Sequence, residues 1–213
     1  FEALCALGPE GMKIIGGASG GPFEHASFLM GLEPQLQTKL YEQYWRPMEV
    51  DFGQEGYATH FDSFMRHYLT LKTGDIPKVE DVYAVFKVFA RDEEAKGTSI
   101  GELVADIHRH AGFYCRMALG KGEPDKALVE ALQDIRELKA EVTFPFLLEL
   151  YEDHTDGVLN RDDLLAVLRM VEAYVFRRVV CEIPTNSHNK TFSTFGKALQ
   201  KDRYLDSIRA HFL

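Results

Sequence analysis

Apolar residues recur along this chain at intervals of three and four, stretch after stretch, and no segment alternates apolar with polar at period two. That periodicity commits the chain to helices and leaves essentially no strand. Leu36, Leu40, Tyr44 and Met48 fall every four residues, with Pro34 suited to a first helical turn and Pro47 expected to kink or end the helix. Thr59 and Asp62 are laid out like a capping box for a second helix, whose apolar face is Phe61, Phe64, Met65, Tyr68 and Leu71 and which ends near Gly74 and Pro77. Val82, Val85, Phe86 and Phe89 mark a third, closed by Gly97. A capping box at Ser99 and Glu102 opens a fourth, which turns Leu103, Ile107, Ala111 and Tyr114 inward.

Beyond the break at Gly120 to Pro124, Leu128, Leu132 and Ile135 continue the pattern, and Thr143 is placed to cap a short helix carrying Phe146, Leu147 and Leu150. Asn160 and Asp163 open the longest periodic stretch, with Leu164, Leu168, Val171, Val175 and Val179 on one stripe and Ile183-Pro184 as its stop. Two short helices follow, about Thr191 to Gln200 and Arg203 to Leu213, the second with Asp202 as N-cap. The expected architecture is all-α, an irregular bundle of about eight to nine helices. Residues 29–213 form its helical domain, and 1–28, rich in glycine and without periodicity, a mobile segment.

With 213 residues and 46% hydrophobic content, the chain can bury a sizeable core as one large domain or two small helical ones. Its three cysteines, Cys5, Cys115 and Cys181, are scattered and odd in number, which fits a reducing compartment better than disulfides or zinc. No stretch approaches the run of about 20 apolar residues that spans a bilayer. The expected location is the cytoplasm. A chain that starts at Phe1 and stops at Leu213 also reads as a piece of something longer.

The net charge of −9 argues against nucleic-acid binding over the whole surface, which draws on Lys and Arg to neutralise phosphates. The charge is unevenly spread, however: from Arg177 onward it is +4, and before it −13. Such asymmetry marks an interaction end, facing DNA or an acidic neighbour, or else a plain solvated face. Within that end, Pro184 to Lys190 is a polar turn in which Asn186 and Asn189 either tie the turn together or, with Arg177, Arg178 and Lys190, grip a phosphate.

Other constellations fall to the ordinary reading. The glycines from Gly8 to Gly21 make no phosphate loop, because Lys13 precedes the Gly16-Gly17 and Gly20-Gly21 pairs. With Gly157 at the sixth position of a calcium loop, Glu152, His154 and Asp163 fall at positions one, three and twelve, and the match fails. His60 and His67 share a helix face without completing a ligand set, and Cys115 and Cys181 sit among apolar neighbours. Helical spacing places Tyr41, Tyr44, Trp45, Phe61, Phe64 and Tyr68 in the core rather than on a base-stacking platform. The residues call for no catalytic group, metal or cofactor.

Four stretches, Tyr41–Gly53 (YEQYWRPMEVDFG), Phe61–Pro77 (FDSFMRHYLTLKTGDIP), Val171–Phe192 (VEAYVFRRVVCEIPTNSHNKTF) and Asp202–Leu213 (DRYLDSIRAHFL), resemble the helical region of GmrSD-like type IV restriction proteins. In that family a ParB-like N-terminal domain associated with nucleotide hydrolysis is coupled to a C-terminal HNH-type nuclease. The opening Phe1-Glu2-Ala3-Leu4 is similar to the family's segment at the end of the N-terminal domain; the likeness then lapses until Leu29. The resemblance implies a non-catalytic helical connector within a nucleotide-dependent, modification-sensing DNA restriction system of phage defence. Its partners would be the ParB-like and HNH-type domains of the same polypeptide, and DNA in the alternative that this region is itself a DNA-binding module; no membrane is implied. Arg177, Arg178, Asn186, Asn189 and Lys190 are the interaction surface that these expectations name.

Overall fold

A computed structural model describes residues 32–183, Phe192 and residues 199–212 of the chain. Eight α-helices occur among them, and no strand: α1 (Pro34–Leu40), α2 (Arg46–Thr73), α3 (Val82–Ala95), α4 (Ile100–Ala118), α5 (Lys126–Glu137), α6 (Phe144–Thr155), α7 (Arg161–Val180) and α8 (Tyr204–Phe212). A π turn, Tyr41–Trp45, carries α1 into α2 without a gap, so these eight make seven separate helical runs. The all-α class expected from periodicity is what forms. The glycine-rich 1–28 and the helix expected about Thr191 to Gln200 lie in or run into residues outside those described.

The described residues divide into two compact units. One comprises residues up to Leu69 with Pro77–Ala111, the other Thr70–Ile76 with the residues from Gly112 onward. In the first, Trp45, Met48, Phe52, Phe61, Phe64 and Tyr68 are sealed from solvent, with Phe86 and Ile107 from α3 and α4. Full burial of one such side chain contributes about 1.5–3 kcal/mol, so this aromatic cluster dominates the unit. Its rings meet edge-on or tilted, as Phe52 does against Phe61 (5.6 Å between centroids) and Tyr68 against Phe89 (6.0 Å). The polar tips find partners inside: the Trp45 indole N–H donates to the Tyr57 hydroxyl at 2.9 Å, and burial raises the pKa of that hydroxyl. The expectation that Trp45, Phe61, Phe64 and Tyr68 pack as core holds; Tyr41 and Tyr44 stay half-buried, and Leu36 is exposed.

The sequence expectations for α2 are met only in part. Pro47, expected to kink or end the helix, does not end it; the helix changes register just before it, where the Arg46 N–H reaches back five residues to the Tyr41 carbonyl. The interruption falls instead at Gly53, whose φ of 72° and ψ of 164° belong to a region that only glycine enters readily. Thr59 accordingly opens nothing. It lies within the helix, where its hydroxyl donates to the Glu55 carbonyl at 2.8 Å.

In the second unit, α5 and α6 pack against α7, and α8 packs on α7 as well. Leu132 and Ile135 of α5, Phe146, Leu147 and Leu150 of α6, and Leu164, Leu168 and Val171 of α7 are buried. Val179 is 55% exposed, so the α7 stripe stops at Val175 and the last turn of the helix carries no buried residue. Asp125 caps α5 by accepting the N–H groups of Ala127 and Leu128, a cap that periodicity did not mark. At Thr143 the hydroxyl turns back to the Ala140 carbonyl at 2.7 Å rather than capping α6. Asp202, expected as an N-cap, lies inside the 3-10 turn Lys201–Arg203 that leads into α8.

His67, in α2, is an acid-sensitive group of the first unit. Burial, with Arg66 nearby, holds its imidazole neutral and lowers its pKa to about 3. The folded state therefore refuses a proton that the unfolded chain accepts near 6.5, and stability present above that value drains away as pH falls toward 3. Urea midpoints measured between pH 7 and pH 4 should fall for the native chain and fall less for His67→Gln. Parallel acid limbs would show that His67 contributes nothing to the loss.

Candidate functional site

The end of the chain from Arg177 onward was singled out by charge, and two of its described residues, Lys201 and Tyr204, close on one buried carboxylate of α6. Asp153, near the end of α6, is 5% exposed. A charge so placed stands only if its oxygens are filled. The Lys201 ammonium lies 2.8 Å from Oδ1, and the Tyr204 hydroxyl donates to Oδ2 at 2.8 Å. Lys201 also reaches Oε1 of Glu149, one turn earlier on α6, at 3.4 Å. The Asp153 carbonyl meanwhile accepts the N–H groups of Val158 and Leu159, which closes the turn into α7.

The electrostatics follow from two acids sharing one base. Burial raises the Glu149 pKa above the usual carboxylate value, with Lys201 opposing the shift. Burial pulls the Lys201 amine down, yet the Asp153 and Glu149 carboxylates outweigh it, and the net pKa is raised above 10.5. The charged amine is therefore held through neutral and mildly alkaline pH. Burial, reinforced by the Asp153 charge, also raises the Tyr204 hydroxyl pKa, so that group remains a donor.

Arg177 and Arg178, on the last turns of α7, are both engaged by their own chain. The Arg177 guanidinium donates to the Phe212 carbonyl at 3.1 Å and to Ala173 at 3.2 Å, closing the C-terminal end of α8. Arg178 donates to the Tyr174 hydroxyl at 3.3 Å and lies 5.5 Å from the centre of that ring. Tyr174 in turn stacks on Phe212 at 4.5 Å. Asn186, Asn189 and Lys190 lie outside the described residues. Phe176, Val179, Val180 and Ile183 are exposed along the outer end of α7, as is Cys181 beside them, which therefore does not behave as the buried hydrophobe expected of it; Cys115 does. Arg203 and Arg209 both pair with Asp206.

A second polar knot ties the start of α5. Arg161 grips both oxygens of Asp125 at 2.7 and 3.0 Å and holds that carboxyl down to about 2. Glu123 accepts from the Tyr151 hydroxyl at 2.9 Å and from the Asp125 N–H at 3.1 Å. Arg136 reaches from α5 to the Met117 carbonyl at the end of α4, at 2.9 Å.

In the first unit, the His110 ring lies with Nδ1 2.8 Å from the Asp106 carbonyl, one turn back on α4, while Tyr68 donates to the Asp106 carboxylate at 2.7 Å. His108 rests 5.9 Å from the Tyr44 ring, its pKa lowered by burial against the opposing charge of Asp51. These contacts order helices. No helix among the described residues is long and apolar enough to cross a membrane.

Sequence reasoning placed Arg177 and Arg178 at this end and missed Asp153, Glu149, Lys201 and Tyr204. One signal was present: Glu149 and Asp153 are like charges four apart on a helix, an arrangement that weakens an isolated helix and calls for a cation from elsewhere. No known protein family, curated protein or solved structure matches the chain.

Lys201→Met strips Asp153 of its charged partner and should lower unfolding stability by about 1–3 kcal/mol, the usual cost of a buried polar group left short of a bond. The Lys201 contribution is present below the amine's unfolded value of 10.5 and lost as pH climbs through the raised one. In a double-mutant cycle with Asp153→Asn, urea denaturation should report a coupling of about 0.5–3 kcal/mol. Additive losses would mean that the two side chains do not depend on one another.

Proposed function

We propose that this chain is a non-catalytic helical connector of a GmrSD-like, modification-dependent DNA restriction system. Its partners are the ParB-like regulatory domain and the HNH-type nuclease domain of the same polypeptide, in the cytoplasm; the chain itself carries no cofactor. The observation that supports this reading is the use to which the basic end is put. Arg177 and Arg178 are turned onto Phe212 and Tyr174, and Lys201 onto Asp153 and Glu149. Cations spent on their own carboxylates and carbonyls hold helices in place, which is what a connector between two working domains requires. A DNA-binding surface instead presents its Lys and Arg to phosphate, and loses affinity steeply with salt as a result.

A gel-shift titration with plain and modified duplex DNA, at low and physiological salt, tests the reading against that rival. The native chain should leave both duplexes unshifted at physiological salt. Charge reversal at Arg177, Arg178 and Lys190 should then change thermal stability and not DNA retention. A salt-sensitive shift that disappears in the reversed variant would replace the connector by a DNA-binding module.

A further inference from the structure

The most distinctive arrangement outside the apolar core of the second unit is the way α8 is held. We propose that α8, with the 3-10 turn before it, is an ion-latched strap that opens from α6 and α7 while the rest of its unit stays folded. The inference stands apart from the connector reading and survives its failure.

Three observations carry it. First, α8 has nine residues, fewer than the roughly 12–15 that a helix needs to persist alone in water, so it exists only while docked. Its apolar anchorage is a single line, Tyr204, Ile208 and Phe212, with Phe212 stacked on Tyr174 of α7. Second, its polar ties sit at the two ends: Lys201 and Tyr204 on Asp153 at the head, and the Arg177 guanidinium on the Phe212 carbonyl at the tail. Third, the helices beneath are fastened to one another without it. Arg161 joins α7 to the cap of α5, Arg169 of α7 pairs with Asp134 of α5, and Leu132, Leu147, Leu164 and Leu168 close their own core. A helix too short to persist alone, tied at both ends to a core that closes without it, is the kind of unit that opens below the global unfolding free energy.

The latch chemistry sets what controls it. Lys201 is 44% exposed along its side chain while Asp153 and Glu149 are 8% and 15%. Solvent and modifying chemistry therefore meet the lysine first, and neutralising it leaves two acids facing each other with only Tyr204 between the strap and Asp153.

Hydrogen exchange followed by mass spectrometry on the whole chain tests the strap. In the native chain, amides of the last turn, Ile208 to Phe212, should be protected yet exchange about tenfold or more faster than those of Leu164 to Val175. Lys201→Met should speed the α8 amides by a further tenfold or so, and the α5 and α7 amides that exchange through global unfolding by no more than that factor, so that α8 stays the faster to exchange. Tyr204→Phe, which keeps the ring and removes only the hydroxyl, should act in the same direction more weakly. Exchange of α8 in step with α7 would overturn the proposal, as would an α8 with no protection in the native chain. So would a Lys201→Met chain in which the α8 amides exchange no faster than in the native chain or fall into step with α7, or one that does not fold.

Discussion

A helix satisfies its backbone along its middle and leaves amide hydrogens bare at one end and carbonyls bare at the other. A fold assembled from helices of nine to twenty-eight residues, which the seven longer elements here are, multiplies those ends. The stability of this chain accordingly depends on how each end is closed. Ser99 and Glu102 close the start of α4 reciprocally, with the Ser99 N–H on the Glu102 carboxylate at 2.8 Å. Asn160 closes α7 through the Asp163 N–H at 2.9 Å, and Asp125 closes α5. At the opposite ends, guanidinium groups do the same for carbonyls: Arg136 at the end of α4 and Arg177 at the end of α8. The last two closures reach across the fold, so the termini that they seal also become joints between helices.

That division explains what the sequence disclosed. Closures whose two halves lie three residues apart, Ser99 with Glu102 and Asn160 with Asp163, are readable because geometry fixes the partner in advance. Apolar periodicity located most of the helices for the same reason, since the face a residue occupies depends only on its neighbours along the helix. Closures whose halves lie tens of residues apart do not name their partner locally, even where like charges on one helix show that a partner is needed. Asp153 with Lys201, Asp125 with Arg161 and Arg177 with Phe212 belong to this class. The errors in α2 are of a third kind. Average behaviour in a regular helix misplaces both Pro47 and Thr59: the π turn at Tyr41–Trp45 alters the hydrogen-bond register just before Pro47, and the break at Gly53 puts the restart of the helix upstream of Thr59.

The same distinction bears on the candidate site. Its outline was legible as a charge asymmetry, because Lys and Arg counts need no structure. Their employment was not, because a cation offered to solvent and one folded onto a carboxylate look alike in sequence. Arg178 above the Tyr174 ring and Lys201 between two acids are the deciding cases. Surface pairs such as Arg203 with Asp206 add little by themselves, since exposed ion pairs are worth about 0–1 kcal/mol. Asp153 differs because its charge is out of the water, where a missing partner costs more than a present one contributes.

A lysine, rather than an arginine, at the head of α8 fits that balance. An arginine would bind two carboxylates through a rigid planar fork and would resist neutralisation at any accessible pH. The ammonium of Lys201 is a point charge on a flexible stem, which bonds Asp153 at 2.8 Å and still reaches Glu149 at 3.4 Å. It is also the side chain whose charge chemical modification can remove. Glu149, raised by burial, adds to the tension, because its own ionisation is tolerated chiefly while the lysine stays charged. Two acids that repel one another and a single partly exposed base make a joint that is firm when complete and weak when one proton or one charge is lost. A joint needed only for permanence would have met those acids with a second cation or replaced them with apolar side chains, either of which stabilises without the sensitivity.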